Sequence, residues 1–154
     1  MSNPAVTDHE AFMRRALELA AEADREGDMG VGALLVRDGE IVGRGRNRIR
    51  TRRDPLGHAE TEAIADACRA LATDTLKGCT LYTTMEPCPM CAGALLNAKV
   101  GHWVMGGRFK SVGRTDIGRY SVETFAKFMD ASVEVTGGIL QTECEMLRAR
   151  FFQR

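Results

Sequence analysis

Two short segments of the sequence carry side chains that bind zinc well. The first is His58-Ala59-Glu60, and the second is Pro87-Cys88-Pro89-Met90-Cys91. Imidazole and thiolate are common zinc ligands, and a catalytic zinc site takes three protein ligands and keeps one position open for water. His58, Cys88 and Cys91 supply three such ligands, so the sequence predicts a metal site of the catalytic kind.

The spacing of these residues suits a single ion. Cys88 and Cys91 are three residues apart at the predicted start of a helix, so one helical turn can direct both sulfurs to one point. A helix N-terminus also favours the thiolate form of cysteine. His58 follows a turn and begins a second predicted helix. Two helix starts that face each other would place all three ligands around the ion.

Glu60 is the candidate for proton transfer. It lies two residues after His58, and a carboxylate beside a zinc-bound water can accept a proton from that water and pass it on. Zinc lowers the pKa of its bound water to about 7, so hydroxide is available at neutral pH. This combination is typical of hydrolysis at an electron-poor carbon.

The segments that must position these residues alternate between helices and strands. Thr7-Asp8-His9-Glu10 fits a capping box at the start of the first helix. Hydrophobic spacing and turn signals predict the order α-β-β-α-β-α-β-α-β-α, which favours one mixed sheet covered by helices. The last helix is predicted over Ile139–Phe152; Phe151 and Phe152 either pack this helix, which is the preferred interpretation, or form a wall of the pocket. A chain of 154 residues without a linker is expected to form a single domain over residues 1–154.

Composition argues against several classes of protein. The chain has 21 basic and 21 acidic residues, so its net charge of zero disfavours non-specific nucleic-acid binding. It has no run of about 20 apolar residues, so no membrane association is expected. Residues 1–10 lack the pattern of a secretory signal, and the five cysteines form no disulfide-scaffold pattern. We therefore expect a cytoplasmic location.

Arginine occupies every second position from Arg44 to Arg52. In an extended segment this period places the arginines on one face and Gly43, Gly45, Asn47 and Ile49 on the opposite, inward face. Asn47 is the only inward side chain that can both donate and accept hydrogen bonds. The arginine face has three open interpretations: a solvated edge that discourages aggregation, a surface that binds the phosphates of RNA or a nucleotide, and an interface with a partner subunit.

The two metal-binding segments together match the signature H-x-E…P-C-x-x-C of zinc-dependent nucleobase deaminases. Over essentially its whole length the chain resembles the cytidine/deoxycytidylate deaminase superfamily. The resemblance implies an α/β fold, a three-layer α/β/α arrangement with a central five-stranded mixed sheet. It also implies Zn²⁺ bound by His58, Cys88 and Cys91. Glu60 would then move a proton from the zinc water to a ring nitrogen, and afterwards to the departing amine.

The resemblance further implies which residues meet the substrate. Asn47 matches the family asparagine that hydrogen-bonds the substrate. Backbone groups near Ala59, Glu86 and Cys88 would line the amidine end of the ring. Phe109 matches an aromatic residue that packs over the base in fungal-type cytosine deaminase. Relatives are commonly dimers, so a homodimer is expected.

Three groups of relatives share further patterns with the chain. Fungal-type cytosine deaminase is similar at Arg108-Phe109-Lys110-Ser111, and bacterial guanine deaminases carry a motif like Glu86–Cys91. The bacterial tRNA adenosine deaminase is similar at Gly138-Ile139-Leu140-x-x-Glu143-Cys144. Arg108–Ser121 differs from the usual loop of the tRNA enzyme, and Leu147–Arg154 lacks the acidic residue that closes over cytosine.

The expected reaction replaces an exocyclic amine by a carbonyl group and releases ammonia. A free nucleobase or small nucleoside of the cytosine, guanine or adenine type is the preferred substrate, because the net charge is zero and the Phe109 segment is similar to that of cytosine deaminase. The first alternative is deamination of the wobble adenosine of tRNA, and the second is a non-catalytic zinc protein. A redox pair of Cys88 and Cys91 is disfavoured, because it leaves the histidine and the glutamate unexplained.

Overall fold

The structure is a computed structural model that describes residues 6–154, apart from the side chains of residues 6 and 7. The Thr7 side chain, on which the predicted capping box depends, therefore lies outside the described residues. The short helix α2 is missing from the predicted order, which otherwise agrees with the structure. The elements in chain order are α1 (Val6–Glu26), β1 (Gly32–Arg37), β2 (Glu40–Arg46), α2 (Ile49–Arg52), α3 (Ala59–Leu71), β3 (Thr80–Met85), α4 (Pro89–Asn97), β4 (His102–Gly107), α5 (Val122–Phe128), β5 (Glu134–Thr136), α6 (Gln141–Ala149) and a 3₁₀ turn (Arg150–Gln153).

The strands form one five-stranded sheet in the order β2-β1-β3-β4-β5. β1 pairs antiparallel with both β2 and β3, whereas β3 pairs parallel with β4 and β4 pairs parallel with β5. The predicted mixed sheet is confirmed. Met85 lies opposite Gly107, so the carboxyl ends of β3 and β4 lie side by side. The segment that contains the two cysteines follows directly after β3.

Both faces of the central strands are buried against helices. Alternate residues of a strand point to opposite faces. Leu34 and Tyr82 lie on one face with α1 and α6, and Leu35 and Leu81 lie on the other face with α3 and α4. These four side chains are at most 1% exposed. The helices therefore form the two outer layers of the expected three-layer fold.

Two glycines in β2 let α3 approach the sheet closely. A Cβ atom on Gly43 would lie 2.5 Å from Ala63 O, and one on Gly45 would lie 2.6 Å from Ala63 N and closer still to Ala59 O. Only a residue without a side chain fits at such distances. Because α3 begins at Ala59, Gly45 sets the distance between the sheet and the helical turn that carries Glu60.

The prediction of a continuous arginine face is wrong beyond Arg46. β2 ends at that residue, and residues 49–52 form α2 instead of continuing the strand. The cause is Asp28, which is fully buried and accepts hydrogen bonds from Arg50 N at 2.8 Å and from Thr51 Oγ1 at 2.7 Å. A buried carboxylate needs such donors, and here the first turn of a helix provides them. Three of the four predicted inward residues are buried, namely Gly43, Gly45 and Asn47, whereas Ile49 begins α2 and is only partly buried.

Most of these arginines pair with acidic residues of the same chain. Arg46 lies 2.9 Å from Glu26, and Arg48 and Arg52 lie 3.1 and 2.6 Å from the two oxygens of Glu62. Such pairs reduce the positive charge that the segment presents to a partner. The structure therefore favours a solvated edge over a phosphate-binding surface for this part of the chain.

The end of the chain differs from the single predicted helix. α6 ends at Ala149, and Phe152 is 60% exposed, so the preferred prediction that Phe152 packs this helix is wrong; Phe152 lines a cavity instead, which is the alternative interpretation. Asp24 in α1 accepts hydrogen bonds from Arg150 Nε at 2.9 Å and from Arg154 through its backbone oxygen at 2.7 Å, which fixes the last residues against α1. No helix within residues 6–154 has the length and apolar character needed to cross a membrane.

Candidate active site

The three predicted metal ligands come together in the structure. His58 Nδ1 lies 3.6 Å from Cys88 Sγ and 3.5 Å from Cys91 Sγ, and the three atoms all lie within 4.8 Å of one another. A tetrahedral zinc ion with bonds of about 2.1 Å to nitrogen and about 2.3 Å to sulfur holds these atoms about 3.6 Å apart. The donor set and its spacing therefore fit zinc with one free position.

Each ligand lies at the N-terminus of a helix. His58 is the N-cap residue of α3, Cys88 is the N-cap residue of α4, and Cys91 follows within the first turn of α4. Neither N-cap side chain bonds to the backbone of its own helix, so both can face the site. Pro89 occupies the first position of α4, where its missing N–H costs nothing. The two helix starts thus face each other as predicted.

The surroundings favour a thiolate at Cys88. The pKa of Cys88 is lowered to about 4, first by a hydrogen bond from Cys91 and further by the His58 imidazole. The same hydrogen bond, together with burial, raises the pKa of Cys91. The hydrogen bond with Cys88 raises the pKa of His58. The two sulfurs thus hold one proton between them, and metal binding must displace it.

Glu60 is the second residue of α3 and is only 4% exposed. Its Oε1 atom lies 2.6 Å from Thr83 Oγ1, and this hydroxyl also lies 2.8 Å from Met85 O. Burial raises the pKa of Glu60, and the Thr83 hydrogen bond lowers it in part. A raised pKa favours the protonated carboxyl group, the form that an acid–base catalyst must adopt at one stage of its cycle.

The site opens into a cavity of about 1070 Å³. The four residues predicted to meet the substrate all line this cavity: Asn47, Ala59, Glu86 and Phe109. The other walls come from the segment before β1, from the loop after Phe109 and from the end of the chain. They include Met29, Val31, Arg114, Arg148 and Phe152.

Asn47 is fixed at the cavity wall by its backbone and by its side chain. Its backbone N–H donates to Val31 O at 3.0 Å, and its Oδ1 accepts a hydrogen bond from Ile49 N at 3.0 Å. Because the oxygen is engaged in this way, the amide nitrogen Nδ2 is the group left for a ligand. Within residues 6–154 no acceptor bonds to it. Asn47 therefore offers a hydrogen-bond donor to a ring in the cavity.

Ala59, Phe109 and Glu86, the other three residues predicted to contact the substrate, each offer a different group to the cavity. Ala59 is the first residue of α3, so its N–H has no acceptor within the helix. Phe109 is 5% exposed, and the Arg114 guanidinium lies 4.8 Å from the centre of its ring. The Glu86 N–H already donates a hydrogen bond to Gly107 O at 2.9 Å. The backbone group of Glu86 that is left to contact a substrate is therefore its carbonyl.

Sequence reasoning misses Thr83, Arg114 and Arg148. Thr83 contacts Glu60 from within a buried strand, and Arg114 and Arg148 line the cavity from the second half of the chain. Helical and loop patterns do not show that these two arginines face the cavity. For Thr83 a signal exists: buried hydroxyls need partners, and Thr83 lies in a predicted strand just before the cysteine motif.

Comparison with known proteins defines the class. The sequence profile of the cytidine and deoxycytidylate deaminase zinc-binding region matches residues 6–107, which include the three sulfur and imidazole groups described above and Glu60. The chain therefore belongs to this family, and the resemblance found in the sequence is confirmed. It is a zinc-dependent deaminase, an enzyme that hydrolyses a C–N bond.

Individual relatives differ in substrate. The chain is 37% identical over 148 residues to the tRNA-specific adenosine deaminase of Bacillus subtilis (strain 168), which covers 96% of this chain and 91% of the relative. It is 47% identical over 92 residues to the guanine deaminase of the same organism, which covers 59% of each chain. A solved structure from a study of A-to-I editing by tRNA:A34 deaminases is similar with a TM-score of 0.78 and 32% identity, covering 89% of this chain and 98% of that chain.

Proposed function

We propose that this enzyme deaminates adenosine at the wobble position of a tRNA anticodon, giving inosine and ammonia. The observation that carries the proposal is the extent of the likeness to a tRNA-specific adenosine deaminase, which spans 96% of the chain. This sequence likeness includes nearly all of residues 108–154, several of which wall the cavity, whereas the sequence likeness to the guanine deaminase of Bacillus subtilis spans 59% of the chain. In structure, a guanine deaminase from Nitrosomonas europaea covers 100% of the chain with a TM-score of 0.81 and 26% identity, so the proposal depends on the sequence likeness. A free base or small nucleoside, the substrate preferred from the sequence, becomes the second candidate.

The outer wall of the cavity supports an RNA substrate. At its rim the Arg148 guanidinium lies 4.8 Å from the ring centre of Phe152, which is largely exposed. Bases of a single-stranded loop stack on aromatic side chains, and phosphates attract arginine. This arrangement suits an anticodon loop with one base inserted toward the metal ligands.

Glu60 is the proton carrier in the proposed reaction. Bound zinc supplies a Lewis acid and an activated water as the nucleophile. Glu60 accepts a proton of that nucleophile and delivers it to the ring nitrogen next to the attacked carbon. A second transfer through Glu60 protonates the amine, which leaves as ammonia as the carbonyl group forms. Burial raises the pKa of Glu60 toward the working pH, which suits both transfers, and Thr83 holds the carboxyl group in place.

The residues around Glu60 orient the ring. Asn47 donates a hydrogen bond to the substrate through Nδ2, and the Ala59 N–H at the start of α3 meets the amidine end of the ring. The Glu86 carbonyl accepts a hydrogen bond from the exocyclic amine. Phe109 packs against the face of the base. His58, Cys88 and Cys91 hold the metal.

A free base such as guanine is the second candidate, and two observations favour it. One is the identity of 47% with guanine deaminase over 92 residues. The other is charge: the net charge is zero, and ion pairs of Arg46, Arg48 and Arg52 reduce the attraction for an RNA backbone.

A homodimer and a cytoplasmic location agree with either substrate, and both rest on the sequence and the resemblance. Sedimentation equilibrium tests the dimer. We expect a mass twice that of the 16.9 kDa chain. A mass equal to that of one chain over the working concentration range would reject the dimer.

Ammonia release across one substrate panel tests the proposed substrate. The panel holds an anticodon stem-loop with a wobble adenosine, the same stem-loop with a wobble guanosine, and free adenine, adenosine, cytosine and guanine. We expect turnover of the adenosine stem-loop alone, with inosine identified by mass spectrometry. Turnover of a free base with no reaction of the stem-loop would reject the tRNA substrate and support the second candidate. Glu60→Ala serves as the inactive control.

A further inference from the structure

The Glu86 carboxylate is buried between the two halves of the site. The side chain is 2% exposed, and Glu86 lies between the end of β3 and Cys88. Its Oε1 atom accepts hydrogen bonds from Arg108 Nε at 2.9 Å and from Phe109 N at 3.1 Å. Its Oε2 atom accepts a hydrogen bond from Val122 N at 3.0 Å. One carboxylate thus satisfies three donors.

These donors mark the two ends of one loop. Arg108 and Phe109 begin the segment that follows β4, and Val122 is the first residue of α5. Between them the loop contributes Phe109 and residues 111–116 to the cavity wall. The Tyr120 hydroxyl donates a hydrogen bond to the carbonyl oxygen of Pro87, so the loop is fastened to the cysteine segment at a second point.

The charges around Glu86 explain why a carboxylate is needed there. Its charge is balanced by Arg108, whose guanidinium also pairs with Glu123 on the outside of the molecule. The Val122 N–H belongs to the first turn of α5, where a negative charge is favourable. Glu123 is 49% exposed, whereas the Glu86 side chain has almost no contact with water. Loss of the inner carboxylate would leave buried donors without acceptors.

We propose that Glu86 is a positioning residue that sets the distance between the cavity wall and the metal ligands. Its carboxylate holds Phe109 and the 111–116 segment in one place relative to Cys88. Besides the backbone carbonyl proposed to meet the substrate, Glu86 thus acts through its buried side chain, which holds Phe109. This inference rests on the deaminase activity of the site and is independent of the choice between an RNA and a free base.

Glu86→Gln tests the role with almost no change in shape. A glutamine offers one acceptor oxygen and an amide nitrogen that must face a donor, so at least one of the three hydrogen bonds is lost. We expect KM to rise about tenfold, because a displaced wall binds substrate more weakly. The kcat value should stay within about twofold, since the metal ligands and Glu60 are untouched. Zinc content should remain at one ion per chain.

Two further measurements separate positioning from a general structural role. Amide hydrogen exchange should accelerate at Phe109 and Val122 in Glu86→Gln, and this needs no substrate. The effects of Glu86→Gln and Phe109→Leu on KM should be non-additive, because one residue acts through the other. Glu123→Gln is the matched control: it removes the exposed partner of Arg108, and KM should change by less than about twofold.

The positioning role of Glu86 can be tested independently of the proposed substrate. An unchanged KM, unchanged amide exchange, or additive effects of Glu86→Gln and Phe109→Leu would overturn it. So would a loss of zinc with kcat lost and KM unchanged. If Glu86→Gln fails to fold, Arg108→Lys is the second variant. Lysine keeps the positive charge but lacks the planar guanidinium group that pairs with both Glu86 and Glu123, so KM should rise in the same way. If no substrate of the panel reacts, the proposed function fails, and the exchange of the two amides still tests the contacts of Glu86.

Discussion

Residues 6–107 and residues 108–154 form the two sides of one cavity in different ways. The first region presents the metal ligands and Glu60 on the N-termini of two helices that pack against the sheet. The second region presents Phe109, Arg114, Arg148 and Phe152 from a loop and from the end of the chain. The family profile matches the first region. The first region thus carries the residues proposed for the reaction, and the second adds the outer wall of the cavity.

The contacts within the two regions support this division. In the first region Gly45 allows the start of α3 to touch the sheet, and Thr83 reaches Glu60 from the buried strand β3. In the second region Phe152 is largely exposed, and the loop after β4 is bonded to Glu86, to Pro87 and, through Ser111, to Glu145 of α6. Changes at the metal ligands and around Glu60 should therefore abolish turnover, while changes in the second region should alter substrate preference.

Glu60→Gln should have the largest effect. The amide cannot carry a proton between nucleophile and leaving group, so kcat should fall about 10³-fold. Zinc content should stay at one ion per chain, because Glu60 is not among the three ligand residues. Steady-state kinetics and elemental analysis measure the two quantities. His58→Ala is the matched control and should lose the metal. Residual activity of Glu60→Gln above a tenth of the wild-type value would contradict the role of Glu60.

Gly45→Ala should lower both the free energy of unfolding and kcat. The new Cβ would lie 2.6 Å from Ala63 N and nearer still to Ala59 O, so α3 must move away from the sheet. Overpacking of this kind costs about 1–3 kcal/mol in the free energy of unfolding, and kcat should fall because Glu60 moves with the helix. Urea unfolding and kinetics measure both changes.

Gly93→Ala is the control for this substitution. Gly93 lies within α4, and a Cβ there would meet no atom within 4 Å. Alanine favours a helix over glycine, so the free energy of unfolding should stay the same or rise by up to about 1 kcal/mol. An equal decrease in the free energy of unfolding in Gly45→Ala and Gly93→Ala would show that the close packing of α3 on β2 is not the reason why residue 45 must be glycine.

The first region could be predicted largely from the sequence, because zinc chemistry restricts the ligands to a few residue types at fixed spacings. The period of two in β2 also placed Asn47 on the inward face, where the structure has it. The helix α2 could not be predicted, since it depends on Asp28, 22 residues before Arg50 in the chain. The position of Phe152 depends in the same way on Asp24, which holds Arg150 from 126 residues away. Local patterns do not report contacts of this range.

Phe152→Ala should distinguish the two candidate substrates through the second region. If an anticodon loop lies on the exposed ring, loss of stacking should raise KM for the stem-loop about tenfold. A free base held beside the metal ligands would be affected far less. Phe128→Ala is the control, because Phe128 is 84% exposed and lies on α5, away from the residues that line the cavity. Equal effects of the two substitutions on KM would show that the RNA does not stack on Phe152.

The smallest effect should come from a histidine that joins the two regions. His102 in β4 lies in the first region, and its Nε2 is 2.9 Å from Thr136 Oγ1 in β5 of the second. Burial lowers the pKa of His102, Glu134 at 3.9 Å raises it in part, and His9 lowers it further. The pKa in the folded state therefore lies below the unfolded value of about 6.5.

Because the unfolded chain binds this proton more tightly, the free energy of unfolding should be fully retained above about pH 6.5 and should fall as the pH drops below it. Urea unfolding at about pH 7.5 and about pH 5.5 measures the change. His102→Gln removes the titrating group and keeps a polar side chain near Thr136, so its free energy of unfolding should depend less on pH over the same interval. An identical pH dependence in the wild type and in His102→Gln would place the effect on other groups, and the junction between the two regions would then be insensitive to protonation.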